Sequence, residues 1–403
     1  MKEIKLKNIK GGITVPKGFK ASGMHCGVKR SGKKDIALIY SDVLADAAAV
    51  FTSNKVKAAP ILVSMENIKS GKARAIIANS GCANACTGNE GLEDAQVMAK
   101  AVASAININS ENVLVASTGT IGSRLPLKNI LNGIRMLSKK MSAGGGGDAA
   151  DAILTTDTRR KEIAVQFKAG GKTITIGGIA KGAGMIAPNM ATLFCFLTTD
   201  AQIPSSSLKT YLKESVDKSF NMTVVDKDMS TNDCVFILAN GTAKNKTLRG
   251  KDEKDFKEAL DHVCVHLAKE IARDGEGATK LIEVKVGGAR SANDAKLIAK
   301  AVAGSDLVKS AIFGEDPNFG RIMAASGNSG ADLKPDLVDV YIGGIQVVNR
   351  GKAVFFDQRE AKKHLKGKEV LINIILGQGT GIATAWGCDL TYDYVKINAK
   401  YHT

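Results

Sequence analysis

Aromatic residues make up only 5% of this 403-residue chain, which leaves few platforms on which nucleic-acid bases could stack. No apolar run approaches the roughly 20 residues that a membrane-spanning helix needs, so no membrane partner is expected. The opening residues, MKEIKLKNIKGG, carry charge but no apolar h-region; no secretory signal is expected, and a cytoplasmic location is. The seven cysteines, at 26, 82, 86, 195, 234, 264 and 388, are an odd set scattered through apolar segments. That pattern fits reduced thiols better than a disulfide framework. Histidine is scarce, with five residues, and none lies in a segment that suggests a Ser-His-Asp triad. His262 and His266 stand four apart on a predicted helix, but Val263 occupies the place where a zinc-protease motif has Glu. Cys82 and Cys86 form a CxxxC with no second pair. No metal is expected at either.

Basic residues outnumber acidic ones, 56 to 40, for a net charge of +16. The lysines are spread along the chain, and only short runs such as Lys33-Lys34, Lys139-Lys140 and Lys362-Lys363 cluster. A solvated basic surface explains this better than a nucleic-acid site, and it would hasten the arrival of small anions. Apolar content of 44% and charged content of 24% are ordinary for a globular protein. The length suits two domains or one large α/β unit.

Strand-like and helix-like stretches alternate, which predicts α/β architecture. Residues 36–40, 61–64, 75–78 and 113–116 read as strands, and 94–106 and 127–139 as helices. The four glycines at 144–147 read as a flexible connector. Residues 163–167 and 173–176, separated by KAGGK, read as a hairpin. The second half continues with helices near 206–219, 254–273 and 292–303, and strands near 234–239, 281–286, 338–342 and 369–376. No internal repeat is visible.

Two segments carry the chemistry. In KGAGMIAPNMATLFCFLTT, residues 181–199, a Gly-loosened loop bends at Pro188 and meets an apolar strand at Ala191-Thr192. A threonine hydroxyl is a poor nucleophile without a base, and a threonine at a chain N-terminus can use its own α-amine, which titrates at roughly 7.7 to 8.0. To expose that amine, the Ala191-Thr192 bond must break. Alone, the segment reads more readily as a turn feeding a core strand. In STGTIG, residues 117–122, Gly119 lets backbone N–H groups converge directly after a strand, and Thr118 adds a hydroxyl; fixed donors of this kind stabilise the oxyanion of acyl transfer. DKDMSTND (226–233) and GEDPNFGRI (314–322) hold acidic residues among turn formers, and suit either a cation or loop capping.

Ten blocks in order identify a resemblance that spans nearly the whole chain. They are FTSN, AAP, NSGCANACTG, STGTIG, LTTDT, KGAGMIAPNMAT, DKDMSTND, DGEGATK, GEDPNFGRI and WGCDLTYDYVKINAKYHT. With them the sequence resembles the glutamate N-acetyltransferase family, also called ornithine acetyltransferases. The resemblance implies an acetyltransferase of arginine biosynthesis that moves the acetyl group of N-acetylornithine to glutamate, releasing ornithine and N-acetylglutamate. It further implies self-cleavage at Ala191-Thr192, giving an α chain of 1–191 and a β chain of 192–403, with Thr192 as nucleophile and Thr118 and Gly119 as the oxyanion hole. Substrate contacts fall on Thr155, Lys181, Thr192, Glu276, Asn398 and Thr403. The implied fold is a layered sandwich of β-sheets flanked by helices, like that of N-terminal-nucleophile aminopeptidases, in an α2β2 assembly without cofactor. Whether acetyl-CoA is also a donor, which would make the enzyme bifunctional, the sequence leaves open. The same groups would serve an amidohydrolase, and a basic nucleic-acid-binding protein is the remote alternative. A C-terminal residue used as a ligand implies an ordered tail, with Trp386, Tyr392, Tyr394, Val395 and Ile397 as its anchors.

Overall fold

The computed structural model describes residues 4–187 and 193–400. Ala191, Thr192 and Thr403 lie outside them.

The long strand Ile36–Phe51 organises the larger part of the molecule. Its second half pairs with Cys234–Ala239, and its first half with Phe19–Met24 and Lys72–Cys82. Between Tyr40 and Ala45 its register with Lys72–Cys82 shifts, a bulge of the kind that bends a strand. Among the described residues the sheet has nine strands, and it folds over so that its two halves face each other. Ile39, Ile76 and Leu114 of one half share a core with Phe194, Phe196 and Phe236 of the other. Those three phenylalanine rings stack in series at 5.5 and 5.6 Å, and truncating Phe196 to Ala would cost about 3–5 kcal/mol.

Side-chain alternation then decides what covers the outer faces. Leu38, Ile77 and Val115 point away from the shared core, against helices Ala59–Asn67, Gly88–Ile106 and Leu127–Lys140. Val165, Ile176, Leu197 and Ile237 meet Ser205–Lys218 and Lys251–Arg273. The result is helix, sheet, sheet, helix, the expected flanked sandwich. A second sheet, of seven strands among the described residues, is built by the C-terminal half around Leu281–Ala289 and Glu369–Ile375, which run parallel. Helix Ala292–Ala303, capped by the Ser291 hydroxyl on Asp294 N, packs into its core.

Strands Phe194–Thr199 and Cys234–Ala239 lie between Lys172–Lys181 and Ile36–Phe51 in the nine-stranded sheet. Chain from both sides of the junction is therefore woven into one sheet, and the junction is no domain boundary.

Three expectations need correction. ILVS at 61–64 is helical, not a strand: Pro60 sits in the first turn of Ala59–Asn67, where its missing N–H is harmless, and a four-residue apolar run does not distinguish helix from strand. Of the glycines at 144–147, only Gly144 is exposed with room for a Cβ; Gly145 to Gly147 are tightly packed rather than a loose connector. A Cβ at Gly145 would come within 1.8 Å of the Ala21 carbonyl oxygen, and Gly146 and Gly147 already belong to helix Gly146–Ala152. The C-terminal helix Tyr392–Ala399 has no buried residue, with Tyr392 77% and Val395 64% exposed. Of the proposed anchors only Trp386, on the strand before it, is buried.

Candidate active site

Loop ends from both sheets converge on a cavity of about 280 Å3. Thr118, Gly119, Thr155, Lys181, Glu276 and Asn398, six of the residues singled out from the sequence, all line it.

The first wall is the end of strand Val113–Thr120. It runs parallel to Lys72–Cys82, with Gly119 opposite Gly81. Gly119 has φ +133, and a Cβ there would lie 2.3 Å from the Gly81 carbonyl carbon and 2.6 Å from Cys82 N. No other residue fits that approach. Two amides brace this wall. The Asn79 side chain accepts from the Ser117 hydroxyl at 2.6 Å, and the Asn232 amide donates to Ser117 O and Ala83 O at 2.6 and 2.7 Å.

A buried chain of charge supports the second wall. The Lys161 ammonium bridges Asp157 at 2.6 Å and Asp274 at 2.5 Å. Asp157 also accepts from Gly182 N at 2.7 Å and Thr155 N at 3.0 Å, so one carboxylate fixes both the LTTDT loop and the first residue after Lys181. Burial alone would raise the Asp157 carboxyl, but Lys161 and Lys181 beside it hold it well below the usual carboxylate range. Lys181 is 2% exposed and has no ion-pair partner within 4 Å among the described residues. Burial lowers its pKa, against the pull of Asp157, Asp233 and Glu276. A buried lysine without a partner, at a cavity wall, suits an incoming carboxylate.

Glu276 faces it from the 274–280 loop. Its backbone N donates to Ala183 O at 2.8 Å, and its carboxylate accepts from the Asn398 amide at 2.8 Å. Gly184 makes room: a Cβ there would meet the Glu276 carboxyl at 2.4 Å. Asn398 arrives on the exposed C-terminal helix, which is tethered by polar bonds. The Thr391 hydroxyl donates to Gly277 O at 2.7 Å, and the Tyr394 hydroxyl to Asp226 at 3.3 Å.

The block DKDMSTND answers a question that spacing left open. Its first carboxylate, Asp226, accepts from Met185 N and Ile186 N at 2.6 and 2.8 Å. Its last, Asp233, accepts from Leu193 N at 2.9 Å. The block caps backbone on both sides of the junction, and this accounts for Asp226 and Asp233. Asn232 and Ser230 of the same block line the cavity. Sequence reading missed them as site residues, since their partners lie 115 and more positions away or across a cavity that no local pattern reveals.

The arrangement offers one buried cation, one carboxylate and a strand end shaped for oxyanion donors, a set suited to acyl transfer between amino acids. A larger cavity of about 660 Å3 on the seven-stranded sheet, beside Trp386 and Ile382, is lined by three lysines and no carboxylate, and lacks such a set.

The ArgJ family model matches residues 20–403. The arginine biosynthesis bifunctional protein ArgJ of Caldanaerobacter subterraneus subsp. tengcongensis is 53% identical over 98% of this chain and 99% of its own length. The protein of the same name from Bacillus subtilis is 48% identical over 100% and 99%. A solved structure of arginine biosynthesis bifunctional protein ArgJ from Bacillus halodurans is 46% identical with a TM-score of 0.50, covering 52% of this chain and 98% of that one. The chain belongs to the ArgJ family.

Proposed function

We propose that this chain is an acetyltransferase of arginine biosynthesis that cuts itself at Ala191-Thr192 and then transfers acetyl from N-acetylornithine to glutamate through Thr192. The observation that carries the reading is the cavity. Thr118 and Gly119, Lys181 and Glu276 meet there, beside the capped residues on either side of the junction. The solved Bacillus halodurans chain, matched over nearly all its length, spans 52% of this one. That is close to the share that residues 192–403 make up, and it supports a cut form.

The Thr192 hydroxyl attacks the acetyl carbonyl carbon while the Thr192 α-amine takes its proton. Thr118 and Gly119 donate to the oxyanion. The C–N bond breaks, and ornithine leaves with the proton, giving an acetyl ester on Thr192. The glutamate amine then attacks the ester carbon. The Thr192 oxygen departs and is reprotonated, and N-acetylglutamate is released. Lys181 pairs with a substrate carboxylate, and Glu276 with the amino group of ornithine; Thr155, Asn398 and Thr403 complete the contacts. Acetyl-CoA acts as a second donor, in keeping with the bifunctional names of the relatives. The enzyme works in the cytoplasm as an α2β2 assembly, without cofactor.

Incubation with N-acetylornithine, with and without glutamate, tests the transfer. N-acetylglutamate formed with ping-pong kinetics is the expected result; acetate released at the same rate without glutamate would assign the site to a hydrolase.

A further inference from the structure

The two amino acids that the proposed transfer exchanges carry opposite charge at their far ends, an ammonium in ornithine and a carboxylate in glutamate. Glu276 attracts the first and repels the second, so it cannot recognise both. What the two share is an α-carboxylate and an unbranched aliphatic stem. Lys181 offers a cation for a carboxylate, whereas a stem needs an apolar wall. Among the described residues that line the cavity, Ile121 and Met185 alone have large apolar side chains. Ile121 follows the Gly119 strand end, on the side proposed for the oxyanion. Met185 adjoins Gly184, where a Cβ would meet the Glu276 carboxyl at 2.4 Å, and so stands on the amino-acid side.

Met185 is held there against the preference of its backbone. Its φ is +56, in the left-handed region that residues with a side chain seldom adopt; glycine, which the chain uses at 182 and 184, would take it freely. The surrounding bonds enforce it. Asp226 accepts from Met185 N and Ile186 N at 2.6 and 2.8 Å, and Ile186 O accepts from Val225 N at 2.9 Å. The side chain joins no hydrophobic core among the described residues and stays 39% exposed on the cavity wall. Enforced strain of this kind clusters at ligand clamps, and a thioether is pliable enough to follow either stem. We propose that Met185 is a specificity-determining residue: its side chain covers the unbranched stem of whichever amino acid the site holds, a recognition indifferent to the charge at the stem's end. The inference rests on the acetyl transfer proposed above.

Met185→Gly keeps the left-handed φ and removes the side chain. The variant is expected to melt no lower than the wild type, while KM for N-acetylornithine and KM for glutamate each rise about tenfold. Its kcat is expected to change by less than about twofold, the pattern of a lost ground-state contact. Met185→Leu, which restores an apolar side chain of similar size, is expected to bring both KM values back to within about threefold of the wild type. Met185→Asn, polar but also at ease in the left-handed region, should match Met185→Gly and replaces it if that variant is insoluble. A purely structural residue would lower the melting temperature without splitting KM from kcat. Unchanged KM values, a rise for one amino acid only, no recovery in Met185→Leu, or a folded variant that stays uncut overturns the inference. A wild type that transfers acetyl to glutamate, with both KM values unmoved in Met185→Gly, defeats this inference alone. A wild type that transfers none defeats the proposed function and this inference with it.

Discussion

The two sides of the cavity are built by opposite means. The Gly119 side, the proposed oxyanion side, is backbone buried in a sheet, with Gly119 pressed against Gly81 and Cys82 and braced by two buried amides. The Glu276 side is closed by a helix that buries no residue and is held, among the described residues, by three side-chain hydrogen bonds and the edge contact of Tyr392 with Phe313. Under the proposed function, the difference follows from what each must do. Donors that meet a developing charge work best when they need no reorganisation, whereas the wall that admits and releases two different amino acids has to exchange contacts in every cycle.

Breaking the rigid side should cost most. Gly119→Ala forces a Cβ into Gly81 and demands a left-handed φ, so kcat for acetyl transfer should fall about 100- to 1000-fold, the scale of losing one oxyanion donor; a steady-state assay on the cut protein reads it. The buried charge chain comes next. Asp157→Asn leaves Lys161 and Lys181 under-compensated and should destabilise the fold by about 3–5 kcal/mol, measured by denaturant unfolding. The sign of the pH effect follows from the same group. Because the folded Asp157 carboxyl lies below its unfolded value, its contribution is complete above the ordinary carboxylate range and is lost as pH falls through the folded value. The wild type should therefore lose more stability on acidification than Asp157→Asn does.

On the tethered side the effects should be small and of another kind. Asn398→Ala removes one hydrogen bond to Glu276, so KM should rise about fivefold, the equivalent of roughly 1 kcal/mol, with kcat and melting temperature nearly unchanged. Tyr394→Phe, which loses only the 3.3 Å bond to Asp226, should change KM by about twofold or less. A kcat loss at Asn398 as deep as that at Gly119 would erase the contrast between the two sides.

Sequence carried the sandwich and most of its elements because their apolar spacing is local. The hairpin Lys161–Ala169 with Lys172–Lys181 and the fully buried strand Phe194–Thr199 follow directly from such patterns. It failed where tertiary contact decides. Ile61 to Ser64 joined a helix because Pro60 starts one there, and Gly145 to Gly147 pack because the Ala21 backbone and the Thr14 and Arg160 side chains leave no room for a Cβ. Family resemblance supplied the residues that meet in the cavity, but not what holds them. Asp157, Asp226 and Asp233 act through backbone amides up to 41 positions away, a link that no periodicity encodes. Of the expected C-terminal anchors, Tyr394 holds through its hydroxyl and Tyr392 rests edge-on against Phe313; the hydrogen bonds of Thr391 and Asn398 join them with no mark in the sequence.

The central claim is that a bond within this chain is cut to make its nucleophile. Intact-mass measurement of the purified wild type and of Thr192→Ala tests it most directly. The account predicts two wild-type masses, those of residues 1–191 and 192–403, and a single uncut mass for Thr192→Ala. A single uncut wild-type mass accompanied by full acetyl-transfer activity would contradict it.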